Sequence, residues 1–137
     1  MPASIDRQTA LIYAMVLMSA SDDEMAKSEL SLIGEIVRTL PVFRGYDARK
    51  VVDATAACSA MMAKSGGVEQ VMQSVKAALP GNLQETAYAL ACEILAADGK
   101  THFEESRLLR TMRTEFAIPE LTAAALHRAA KVRAAVT

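Results

Sequence analysis

Two pairs of acidic residues are spaced as groups that could do chemistry. Asp22 and Glu29 stand seven positions apart, as do Asp98 and Glu105, and sliding the chain by 76 residues lays the first pair on the second. Each pair begins where an apolar run stops, in LIYAMVLMSASDDEMAKSE and in ALACEILAADGKTHFEE. Asp23 and Glu24 enrich the first set with oxygen donors, while Glu104 and His102 accompany the second. A hard cation such as calcium takes about six to eight oxygens, largely from carboxylates, carbonyls and water. Each turn offers a cluster of such donors, and together the two would make a stronger site. His102 would move the preference toward zinc or another transition metal if it pointed inward. Neither turn has the spacing of an EF-hand loop. The metal reading therefore names Asp22, Asp23, Glu29, Asp98, His102 and Glu105, with calcium favoured and zinc or manganese as alternatives.

The same residues also suit a purely structural role. Thr101 and Glu104 have the spacing of a capping box, in which the hydroxyl accepts from the helix start and the carboxylate reaches back. Glu29 and Glu105 would favour the dipole of the helices they open, each by about 0.3–1 kcal/mol. Asp22 and Asp98 would end the preceding helices through side-chain bonds to the backbone.

The elements that must hold these acids are helical. Aromatic residues are only 4% of the chain, alanine and methionine are frequent, and no segment alternates like a strand between hairpin turns. A first helix over about 4–20, with Ser4 as N-cap, is apolar on nearly every face and belongs at the centre of a core. A second over 27–40 presents Leu30, Ile33, Val37 and Leu40 and ends at Pro41. Asp47 would cap a third reaching about 64, with Val51, Val52, Ala56, Met61 and Met62 as its contacts and Gly66 as its break. A fourth covers about 68–79, and the PGN turn supplies Asn82 as N-cap for a fifth over 83–97. The sixth, over 103–116, presents Leu108, Leu109, Met112 and Phe116, and Pro119 opens a seventh. The expected fold is an all-α, single-domain bundle of about seven helices spanning 1–137, with repeat-like units over about 5–40 and 83–116. In the 76-residue register, Leu32, Ile33, Ile36 and Leu40 fall on Leu108, Leu109, Met112 and Phe116.

These features resemble the TerB-like (tellurite resistance) family, whose members carry two DGx-hydrophobic-xxxE turns after apolar helices. The likeness covers ALIYAMVLMSASDDEM, EIVRTLPVF and ETAYALACEILAADGKTHFEESRLL, nearly the whole chain. It implies an all-α TerB-like fold and an association with resistance to tellurite and other stresses. It also implies divalent-metal binding at Asp22, Glu29, Asp98 and Glu105, without catalysis. Two positions depart from the motif: Asp23 stands where glycine is expected, and Thr101 where a hydrophobic residue is.

Bulk properties narrow the function further. With a net charge of -1 and 23% charged residues, nothing calls for nucleic acid or an anionic membrane. Cys58 and Cys92 lack any metal or redox spacing and read as small hydrophobes, which points to a reducing cytoplasm. No basic region precedes the apolar run at 10–18, so a signal peptide is not expected, and no apolar stretch is long enough to span a bilayer. GxSxG, P-loop and HExxH patterns are all absent, leaving a non-enzymatic module as the first reading. A structural protein-interaction domain is the alternative, and a carboxylate-dependent hydrolase the remote one. A protein partner is expected, and a homodimer is compatible with the sequence. Glu93, inside the apolar fifth helix, either marks a functional pocket or, as the preferred reading, forms a structural ion pair, for instance with an arginine of the sixth. Arg107, Arg110 and Arg113 form a stripe that either is solvated or holds a phosphate or an acidic partner. His127 should interact with the dipole at the end of its helix, and the eight methionines should fill the core.

Overall fold

In the computed structural model the chain is described over residues 4–19, 27–97 and 107–137. Seven α-helices account for these segments: α1 (Arg7–Ser19), α2 (Lys27–Thr39), α3 (Val51–Met62), α4 (Gly67–Ala78), α5 (Gly81–Ala97), α6 (Arg107–Glu115) and α7 (Glu120–Arg133). No strand occurs among the described residues. The predicted all-α bundle is therefore the observed one.

Helix α1 starts two residues later than the sequence suggests. Its cap is Asp6, whose Oδ1 accepts from the Thr9 N–H at 2.7 Å, and Ser4 lies outside the helix. An ionised cap also favours the positive end of the helix dipole. From Ala10 to Ser19 every residue is buried, so the helix has no polar face and must be surrounded. It packs against α3, α4 and α5. The buried Ser19 hydroxyl is satisfied within its own helix by the carbonyls of Met15 and Val16, at 3.2 and 3.3 Å. Gln8 ties the first turn of α1 to the segment after α2, donating at 3.2 Å to the carbonyls of both Val42 and Arg44.

Pro41 ends α2 as expected and opens a single 3-10 turn, Pro41–Phe43, which buries Phe43 against the edge of Tyr46. Asp47 then caps a second 3-10 turn, Ala48–Lys50, accepting from the Arg49 N–H at 3.0 Å. Helix α3 follows directly from this turn, and its predicted contacts Val51, Met61 and Met62 pack on the core. Its buried face is Val51, Thr55 and Cys58, and the predicted contacts Val52 and Ala56 face solvent. Gly66 has φ +71 and sits just before α4, as its predicted role as a break requires. The start of α5 also differs, because Pro80 rather than Asn82 occupies the capping position. Its carbonyl accepts from Leu83 and Gln84, while Asn82 is an exposed residue inside the helix.

The internal repeat is visible as matched burial at three of the four paired core positions, the exception being Leu40, half-buried where Phe116 is buried. Ile33 and Leu109 are both buried, as are Ile36 and Met112, while Leu32 and Leu108 are both half-buried. The two amphipathic helices also interlock with both buried helices, since α2 touches α1 and α5, and α6 touches α5 and α1.

Candidate functional site

Of the six predicted metal-site residues, only Glu29 lies in a described segment. It is half-buried in the first turn of α2, where a carboxylate faces the unsatisfied N–H groups of the helix start. Asp22, Asp23, Asp98, His102 and Glu105 lie outside the described residues, as does the predicted capping box of Thr101 and Glu104. Within the described residues, no three His, Cys, Asp or Glu side chains come together as a metal site. The framework on either side is nevertheless defined. Each acidic turn follows a helix with a buried apolar face and precedes an amphipathic one, in the same register of the repeat.

The cysteines are built as packing groups. Burial pushes the thiols of Cys58 and Cys92 up to about 12, far from a reactive thiolate at neutral pH. The Cys58 sulfur rests 3.9 Å from the Tyr13 carbonyl and 3.9 Å from the Met62 sulfur.

Glu93 pairs with an arginine, but not with one from α6 as the sequence suggests. Its Oε1 accepts from Arg133 Nε of α7 at 3.0 Å. Both side chains line a cavity of about 430 Å³ between α5, α7 and the face of α2 around Ile36 and Leu40. A second polar contact, Gln73 donating to Glu115 at 2.9 Å with Lys76 at 3.4 Å, joins α4 to the end of α6 and holds the Glu115 carboxyl below its usual range.

A further concavity lies between α6 and α7, floored by Tyr88 of α5. Arg110 and Arg113, two members of the predicted arginine stripe, line it, and α7 adds His127, Arg128 and Lys131. The sequence signals the first two through their spacing. It gives no sign that the α7 cations join them, because that depends on how the helices pack.

The comparison with known families bears on the chain as a whole. No curated protein and no solved structure matches it. The family model described as "Tellurite resistance protein TerB" matches residues 8–131, from the first turn of α1 to the last turn of α7, with both repeat units included. By that match, together with the all-helical fold and its repeated units, the chain belongs to the TerB family.

Proposed function

We propose that this TerB-family protein is a non-enzymatic, cytoplasmic stress-resistance module whose two acidic turns bind a divalent metal, calcium before zinc or manganese, and which acts through a protein partner. One observation carries the reading: Asp22 with Glu29 and Asp98 with Glu105 recur at the same register of a repeat in which Leu32, Ile33 and Ile36 match Leu108, Leu109 and Met112 in burial. Acids also open other helices, with Asp6 capping α1 and Asp53, Glu69 and Glu120 in the first turns of α3, α4 and α7, but none of those first-turn acids has an aspartate seven positions before it. The donor set is all oxygen except His102, which suits a hard cation. The non-enzymatic part rests on the missing nucleophile motifs and on two cysteines held as neutral thiols. Among the described residues, no helix is long and apolar enough to cross a membrane.

The position of Glu29 favours a second reading, a structural interaction domain whose acids only cap helices. A thermal melt of chelator-stripped protein, with calcium, magnesium, zinc and manganese added singly, separates the two. An ion at 100-fold over its dissociation constant adds about 2.7 kcal/mol to the folded state. Metal binding predicts that one ion raises the midpoint of the wild type but not of the Asp22→Asn, Asp98→Asn double variant. If no ion shifts the wild type and the variant is only slightly less stable, the acids are caps.

A further inference from the structure

We propose that the groove between α6 and α7 is a docking site for an acidic, amphipathic helical segment of a protein partner. The groove is open and holds about 410 Å³, with Arg113 from one wall, Arg128 and Lys131 from the other, and an apolar floor in which Ala124 is exposed above the largely covered Tyr88, Leu109 and Ala123. Residues 107–137 hold six of the 15 Lys and Arg residues of the chain but two of its 16 acids, so a nearly neutral protein concentrates its positive charge at this end.

The repeat shows that the fold does not require this charge. Arg107, Arg110 and Arg113 occupy the positions that Ser31, Gly34 and Val37 hold in the first unit, where an equivalent amphipathic helix forms without them. The exchange of Val37 for Arg113 is the most telling. It places a half-buried guanidinium where the first unit buries an apolar side chain, and its Nε–H finds no acceptor among the described residues. A partner that brings carboxylates to the groove would complement the charges of Arg113, Arg128 and Lys131 that line it.

The shape and lining select the kind of anion. A free phosphate has no use for the apolar floor, and the face of a bilayer does not enter a trough between two helices. A helix with one acidic and one apolar face uses both features. Glu120 lies at one end of the groove and Lys131 at the other, eleven residues apart on α7, or about 16 Å at 1.5 Å per residue. That matches three turns of a bound helix. Glu120 would oppose an acid at its end, which gives the occupant a direction.

This inference does not rest on metal binding, and its test can fail while the metal melt succeeds. The probe is a fluorescein-labelled peptide of about eleven residues, Glu and Leu at helical spacing, titrated with the full chain and followed by anisotropy. A counterpart with Lys for Glu serves as control. Saturable binding of the acidic probe alone, weakened by salt, is expected. Arg128→Glu with Lys131→Glu, both exposed positions, should weaken it about tenfold or more with an unchanged melting midpoint. Arg44→Glu with Lys64→Glu, which changes the net charge equally but lies outside the groove, should leave binding intact. Glu120→Gln should tighten it. Absence of saturable binding overturns the proposal, as does equal loss in the two double variants, which would mark a net-charge effect. Tighter binding of phosphatidylserine vesicles or duplex DNA through Arg128 and Lys131 would assign the groove to those ligands instead. Self-association abolished by the groove variant would assign it to a second copy.

Discussion

Arg133 Nε donates to Glu93 Oε1 across 3.0 Å, tying the last turn of α7 to the middle of α5. Glu93 is largely shielded, with 24% of its side chain exposed, but Arg133 is 70% exposed, so water screens much of the attraction. A double-mutant cycle with Glu93→Gln and Arg133→Gln should give a coupling of about 0.2–1 kcal/mol that shrinks as salt is added. A salt-insensitive coupling several times larger would mean that the pair behaves as a buried one.

Gly67 opens α4 against the end of α3. A Cβ there would lie 1.7 Å from the Met61 carbonyl oxygen and 2.8 Å from its carbon, both backbone atoms that cannot swing away. Gly67→Ala should cost about 1–3 kcal/mol in urea unfolding, through displacement of one helix relative to the other. A variant as stable as wild type would show that this junction is loose.

Ala117 should respond in the opposite direction. It has φ +51 at the C-terminal end of α6, where its own N–H donates to Thr114 and that of Ile118 to Arg113. This is the Schellman arrangement, with alanine at the left-handed position that glycine occupies more comfortably. Ala117→Gly should gain about 0.5–1 kcal/mol, the relief of αL strain exceeding the entropy added to the unfolded chain. The urea midpoint should rise with an unchanged slope.

The buried thiols and phenol make the protein sensitive to alkali. Burial raises Cys58 and Cys92 from 9.0 to about 12, and burial, mainly, raises Tyr88 from 10.0 to about 12. A raised value means that the unfolded chain loses its protons first. The thiols therefore leave stability unchanged below about pH 9 and erode it between pH 9 and 12, and Tyr88 does so between about pH 10 and 12, each by up to about 1.4 kcal/mol per pH unit. Urea midpoints measured at successive pH values test this, and Cys58→Ala should flatten the decline. A thiol-reactive dye at pH 8 should label neither cysteine until the chain unfolds.

The fold was legible in the sequence because it is written in apolar periodicity, which survives small errors of phase. Ile33, Ile36, Leu109 and Met112 were assigned to the core from spacing alone, and they are buried. What failed was local or long-range. On α3 the buried stripe runs through Val51, Thr55 and Cys58 at helical spacing, and Val52 and Ala56 lie off it because apolar type alone does not place a residue on that spacing. Spacing and type did not separate Ser4 from the cap Asp6, because the two are close in sequence and about equally suited as caps. The partner of Glu93 came from α7 rather than α6, and Arg128 and Lys131 joined the arginine stripe, through packing between helices that no single-helix pattern encodes. The acidic pairs were legible as a repeat, and of their predicted ligands Glu29 alone falls within the described residues.

Ten successive sealed residues in α1 leave the bundle without a smaller viable form. Cutting away α3, α4 or α5 would bare one side of a helix that is apolar all round from Ala10 to Met18 and has no polar face to turn outward. Fragments ending between helices should therefore clump instead of persisting as subdomains, and the amide protons of α1 should exchange with solvent only when the entire structure opens.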